Sequence, residues 1–172
     1  MKAVCIVAHP DDCIIFGLGY ILAHPEYDWR ICYLTYRHNT PRGKEISAFW
    51  FKRGIIVDFL GFIDDPRDLR NNHLSFDPIM ACNFIQSEIA SADLVLTHNK
   101  DGEYGHIHHK FVHECCKEHN GLVVFANDGD AYPVPANYYT LDELPIHARA
   151  ILQFVTPANQ INHYSIIESV YK

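Results

Sequence analysis

The sequence predicts an α/β fold, a three-layer sandwich built on a mostly parallel sheet. Three observations point there. Short apolar runs rich in β-branched residues recur from Lys2 to Ala126. The stretches between them are amphipathic and long enough for helices, which is the spacing of strand–helix–strand crossovers. The chain has 172 residues, 48% of them hydrophobic and 20% charged, which fits one globular domain. A chain of this size buries about 70% of its unfolded surface, so it needs no disulfide or metal staple to fold.

Lys2–Ala8 is a short β-branched run and reads as a buried strand. Asp12–Ala23 reads as a helix, with Ile15, Leu18 and Leu22 on one face and Pro25 ending it. Trp29–Tyr36 is the second strand. Lys44–Arg53 reads as a helix closed by Gly54 at the C′ position. Ile55–Leu60 is the third strand, and Asp64–Phe76 a polar loop. Asp77 as N-cap and Pro78 in the first turn start a helix that runs to about Ala90. Asp93–His98 is the fourth strand, Asn99–Gly105 a polar loop, His106–Glu118 a helix and Leu122–Ala126 the fifth strand. Beyond it, Asn127–Tyr139 is loop-like, Leu141–Phe154 reads as helix interrupted at Pro145, and Gln160–Tyr171 carries no assignable pattern. The alternation describes one Rossmann-like domain over residues 1–172.

Charge narrows the partners. The net charge is −7 and no Lys/Arg cluster exceeds scattered pairs, which argues against nucleic acid and against an anionic membrane surface. The apolar run Ala3–Ala8 is too short for a signal peptide or a membrane span, so a cytoplasmic location is expected. None of the six cysteines forms a C-x-x-C pair, and Cys5 and Cys32 read as buried thiols of a reducing compartment.

The 12 histidines are the unusual feature, and two clusters of them lie at predicted strand ends. Ala8-His9-Pro10-Asp11-Asp12 follows strand one, at the carboxyl edge where open α/β sheets bind ligands. His9 and Asp12 offer an imidazole and a carboxylate three residues apart, and Asp11 a second carboxylate in a different direction, so one carboxylate can ligate a metal while the other stays free to accept a proton. The same residues also read as a solvated His9 and a helix-capping Asp12. Gly102-Glu103-Tyr104-Gly105-His106-Ile107-His108-His109 follows strand four, with His113 beyond. A helix starting near His106 puts His106, His109 and His113 on one face. The glycines permit a sharp turn before it, and its N-terminus favours an anion. A His-rich polar helix start is the plainer reading. Two histidines and a carboxylate with open positions form a catalytic zinc set. Zinc lowers the pKa of its water to about 7, and a free carboxylate beside it takes the proton.

The two motifs resemble the LmbE/PIG-L family of metal-dependent N-deacetylases, the GlcNAc-PI de-N-acetylase-like proteins. Ala8-His9-Pro10-Asp11-Asp12 and Gly105-His106-Ile107-His108-His109 carry the resemblance, and similarity in order covers about residues 2–126. The resemblance implies His9, Asp12 and His109 as zinc ligands and Asp11 as general base. It implies that His106 helps hold the tetrahedral intermediate and acts as acid, and that Tyr104 polarises the amide oxygen. The family usually has Asp where this chain has His108. Loss of that anion is expected to lower the pKa of His106. The region 127–172, where the resemblance fades, is expected to shape the substrate pocket.

Other positions are weaker. Arg42, in Arg42-Gly43-Lys44-Glu45, matches a family Arg-x-x-Glu pair and reads as a substrate contact or as a solvated helix start. Asp65 matches a substrate-facing Asp, with Asp64 the alternative for the same role. His98, ending strand four, reads as a polar contact beside the site. Gly17-Leu18-Gly19 fails as a dinucleotide fingerprint, because Leu22 stands where the third glycine belongs. The expected activity is therefore a zinc-dependent hydrolase that removes an N-acyl group, most simply acetyl, from an amino sugar or related small molecule. Iron(II) fits the same His₂Asp set. The rivals are a catalytically weak metal- or sugar-binding protein on this fold and a hydrolase of another amide, such as a thiol conjugate. The resemblance also admits a homo-oligomer.

Overall fold

A five-stranded sheet in the order β3-β2-β1-β4-β5 forms the centre of the fold, with every neighbouring pair parallel. The computed structural model describes residues 1–125 and Pro145. Its strands are β1 (Lys2–Val7), β2 (Asp28–Thr35), β3 (Ile56–Phe62), β4 (Leu94–Thr97) and β5 (Leu122–Val124). Its helices are α1 (Leu18–Ala23), α2 (Pro41–Phe51), α3 (Pro66–Asn71), α4 (Pro78–Ile89), the turn α5 (Gly102–Gly105) and α6 (Ile107–Cys116). The expected elements at Asn127–Tyr139, Leu141–Phe154 and Gln160–Tyr171 lie outside the described residues, apart from Pro145.

The period of two in β1 builds the layers. Ala3, Cys5 and Val7 face one core, with Leu18 and Ile21 of α1 and Ile46, Phe49 and Trp50 of α2. Val4 and Ile6 face the other, with Ala81, Ile85 and Ile89 of α4 and Val112, Cys115 and Cys116 of α6. Both faces of the central strands are therefore dry, which is why they read as continuous apolar runs. Cys5 and Cys32 are fully buried free thiols. Among the described residues no helix is long and apolar enough to cross a membrane.

Three helix starts differ from the sequence expectation in ways that bear on the site, two of them for one reason. α2 starts at Pro41, ahead of the expected Lys44, because Thr40 caps it by accepting the Gly43 amide at 3.1 Å. α3 occupies part of the stretch expected as loop, with Asp65 as its cap and Pro66 in its first turn. Both repeat the cap-then-proline signal that marks α4 at Asp77-Pro78. The third is the start of the first helix, where Cys13–Gly17 is a π-helical turn that runs into α1. Gly17 lets that turn pack tightly, since a Cβ there would meet the Phe125 ring at 3.0 Å. Gly54 closes α2 as expected, at φ +72°, with its amide on the Phe51 carbonyl and the Ile55 amide on that of Trp50.

Candidate metal centre

Strand order reverses between β1 and β4, and both histidine motifs lie at that point. Loops on either side of such a switch diverge and leave a crevice. Three donor atoms converge in it. His9 Nδ1 lies 3.2 Å from Asp12 Oδ2, His109 Nε2 lies 3.3 Å from the same oxygen, and the two nitrogens are 3.3 Å apart. All three residues are buried. Ligands at about 2.0 Å around a tetrahedral zinc stand about 3.3 Å from one another, so the triangle has the edges of one zinc face. The chemistry of the set fits a divalent cation: two imidazoles and one carboxylate, brought together out of water.

Glu103 orients this triangle, and nothing in the sequence singled it out. Its Oε2 accepts from His109 Nδ1 at 2.6 Å and from His98 Nδ1 at 2.8 Å. A carboxylate only accepts, so His109 carries its proton on Nδ1 and keeps the Nε2 lone pair for the triangle. Reaching both rings forces Glu103 into a backbone that side chains rarely adopt, φ +57° and ψ −71°. Such a conformation costs about 1–3 kcal/mol and persists where the surroundings over-determine it. Asn99 does so here: its amide donates to Glu103 Oε1 at 2.9 Å, and its Oδ1 accepts the Asp101 and Glu103 amides. Burial works against the charge on Glu103, but His98 and His109 hold its pKa down to about 2.

His98 is fully buried and touches the triangle from behind. Its Nε2 accepts the Ala8 amide at 3.0 Å, and its ring stacks on His109 with centroids 3.8 Å apart. His113 does not enter the triangle; its Nδ1 donates to the His98 carbonyl at 2.9 Å. His106 caps α6, where its Nδ1 accepts the His108 amide at 3.2 Å, which leaves the proton on Nε2. The ring sits 4.7 Å from those of both His9 and His109. Burial, then the neighbouring His9, hold His106 down to about 3, so it is a neutral imidazole. Tyr104 lies edge-on to His106 at 5.8 Å and to His109 at 5.2 Å.

Asp11 faces the other side of the crevice, in an ion pair with Arg42. Arg42 Nη1 donates to Tyr36 Oη at 2.6 Å, and Tyr36 in turn donates to Asp64 Oδ2 at 2.9 Å. Asp64 Oδ1 is 3.5 Å from His9 Nε2. Burial and the neighbouring Asp12 push the Asp11 carboxyl up, with Arg42 and His9 pulling back. Burial opposes ionisation of Asp64 too, yet its bonds to His9 and Tyr36 hold it well below the usual carboxylate range.

Of the expected site residues, the structure brings together His9, Asp11, Asp12, Arg42, Tyr104, His106 and His109, and leaves out Asp65. The Asp65 side chain caps α3 through the Arg67 amide at 2.9 Å and pairs with the Arg67 guanidinium, while Asp64 occupies the crevice. The helix start claims the second of the two adjacent acids. Besides Glu103, sequence reasoning passed over Tyr36 and Asp68. Asp68 bonds His108 Nε2 at 2.9 Å, across 40 residues of chain, and no spacing rule reaches that far.

No protein-family model and no curated protein matches the sequence. Among solved structures, the chain is similar to a deacetylase of the teicoplanin biosynthesis pathway. In its complex with teicoplanin the TM-score is 0.54 at 14% identity, over 77% of this chain and 76% of that one. In a second complex the TM-score is 0.53 at 16% identity over 68% of this chain, which spans 61% of that deacetylase. The 4-carboxy-2-hydroxymuconate hydratase GalB from Pseudomonas putida KT2440 is also similar, with TM-score 0.53 and 16% identity over 99% of this chain and 84% of that one. At these identities the likeness is one of fold, and the fold carries both activities.

Proposed function

We propose that the chain is a metal-dependent hydrolase that removes an N-acyl group, most simply acetyl, from an amino sugar or related small molecule. The observation that carries this is the buried triangle of His9 Nδ1, Asp12 Oδ2 and His109 Nε2, with Asp11 next to a ligand in sequence. A divalent ion held there, zinc or iron(II), supplies a Lewis acid that acidifies water and polarises a carbonyl.

The chain's own groups supply the rest. Asp11, with its carboxyl raised by burial, takes the proton of the attacking water. His106 donates its Nε2–H to the carbonyl oxygen as negative charge develops, with Tyr104 beside it. A neutral His106 does not serve as the acid, so Asp11 returns its proton to the leaving amine. Arg42 holds Asp11 in place and opens toward a polar substrate group. The N-terminal turn of α6, on which His106 sits, adds a partial positive charge.

The test is acetate release from a panel of N-acetylated sugars by zinc-loaded protein. Release that stops with a chelator and returns with zinc is expected. Tight sugar binding without acetate across the panel would make the chain a binding protein. A second reading, hydration of an unsaturated acid, is favoured by the match to the hydratase over nearly the whole chain. Loss of conjugated-diene absorbance with no acetate released would select it.

A further inference from the structure

We propose that His108 and Asp68 form a hydrogen-bonded chain that fixes the tautomer of His9, which makes His108 a positioning residue for the metal triangle. The inference rests on the reading of that triangle as a metal site and deepens it.

Three contacts make the chain. Asp68 Oδ2 lies 2.9 Å from His108 Nε2, and His108 Nδ1 lies 3.2 Å from His9 Nε2. The Ser75 amide donates to Asp68 Oδ2 at 2.8 Å, and the Ser75 hydroxyl donates to Oδ1. His108 and Asp68 are both buried, at 0% and 2% exposure, so water does not compete for these bonds. The direction of each bond then follows in order. Asp68 is already an acceptor for Ser75, and a carboxylate has no proton to give. His108 therefore places its proton on Nε2, toward Asp68, and its Nδ1 is a bare lone pair. The partner of a bare lone pair at 3.2 Å must be a donor, so His9 carries its proton on Nε2. When His9 is neutral, as a metal ligand must be, the lone pair left facing Asp12 and His109 is that of Nδ1.

The two imidazoles of the triangle are thus set by different devices. His109 is held directly by a carboxylate, Glu103. His9 is held through a second imidazole, because Asp68 lies one ring too far away to reach it. A neutral imidazole interposed between Asp68 and His9 spans that gap, and Asp64 Oδ1, 3.5 Å from the same His9 Nε2, faces the proton that His108 fixes there. Residues that orient a ligand in this way are worth about 10–100-fold in metal affinity.

A rival for the same atoms is a second cation held by His9, His106 and His108, whose donor atoms also lie within 4.8 Å of one another. His9 would have to give up its remaining N–H to serve both sites, which disfavours it.

The experiment is ¹⁵N NMR of histidine-labelled protein with and without zinc, joined to chelator competition on variants. Expected are a Nε2–H tautomer for His108 in both states and for His9 in the zinc form. A proton on His108 Nδ1, or on His9 Nδ1 with zinc bound, would overturn the proposal. In the variants, His108→Ala and Asp68→Asn should each weaken zinc about 10–100-fold. His108→Asn, whose Oδ1 stands where Nδ1 did, should recover part of that loss. Ser75→Ala should leave the His9 tautomer unchanged. Unchanged affinity in both weakening variants, or two zinc ions per chain falling to one in His108→Ala, would also overturn it. If wild-type protein binds no zinc, the metal reading falls by itself, and the His108 tautomer in the metal-free protein still decides for or against the chain.

Discussion

The β1–β4 side of the crevice and the β2–β3 side hold their charges in different ways. On the first, His9, Asp12, His98 and His109 are buried, and each ring nitrogen named above meets a fixed partner. On the second, Arg42 and Asp64 keep 18% and 22% of their side chains exposed and neutralise one another through Tyr36 and Asp11. Buried charged groups are expensive to rearrange, because leaving one unpaired costs several kcal/mol. Partly exposed ion pairs are cheaper to open, because water or a ligand can replace a lost partner. On the proposed reading, one side would hold an ion at set distances, and the other would trade its internal bonds for bonds to a substrate.

Removing a donor from the rigid side should have the largest effect. His109→Ala should carry almost no zinc by elemental analysis of purified protein; one zinc per chain in that variant would show that His109 is not a ligand. Asp11→Asn, on the border between the sides, should keep its zinc and lose about 10²–10⁴ in kcat. A loss under tenfold would put the base elsewhere.

Acidity distinguishes the sides as well. In the metal-free protein, burial pulls the pKa of His9 down, but Asp12 and Asp64 outweigh it and push it up to about 10. Below that pH an arriving metal must displace a proton, so apparent affinity should rise about tenfold per pH unit. Chelator competition at about pH 6 and pH 8 checks this, and equal affinities would mean a neutral His9. Glu103→Gln should weaken zinc by about 10–100-fold in the same assay, since a neutral amide fixes the His109 tautomer less firmly.

The fold was legible where burial dictated residue type. β1, dry on both faces, could be read from Lys2–Val7 alone, and the strand–helix alternation placed both motifs at carboxyl edges before any contact was known. Helix starts at Thr40-Pro41 and Asp65-Pro66 carried a readable signal that polar surroundings obscured. In the site, His9, Asp12 and His109 were legible because two local motifs hold them. Glu103 was not, because its role depends on a backbone strained to φ +57° and on Asn99, neither of which leaves a spacing pattern. Asp68 was not, because its partner His108 lies 40 residues away on another helix, beyond any local spacing.

The adjacent acids Asp64 and Asp65 give the smallest expected effect and the finest test of the two-sided reading. They differ by one position, yet one accepts from Tyr36 and sits 3.5 Å from His9 while the other caps a helix. Asp64→Asn keeps the shape and removes the charge that balances Arg42. Arg42 then pairs more fully with Asp11, and a substrate has to compete for a more tightly held guanidinium. KM should rise about tenfold or less, in line with one charged hydrogen bond in a partly exposed setting. Zinc stoichiometry should not change, because Asp64 is outside the triangle. Asp65→Asn should leave kcat, KM and zinc alike, since Asn caps a helix nearly as well as Asp. Asp65→Ala should lower Tm while leaving KM unchanged, because the cap is lost and the crevice is not touched. If Asp65→Asn moved KM and Asp64→Asn did not, the substrate-facing role would pass back to Asp65, and the exchange of internal bonds for substrate bonds on the β2–β3 side would have to run through α3.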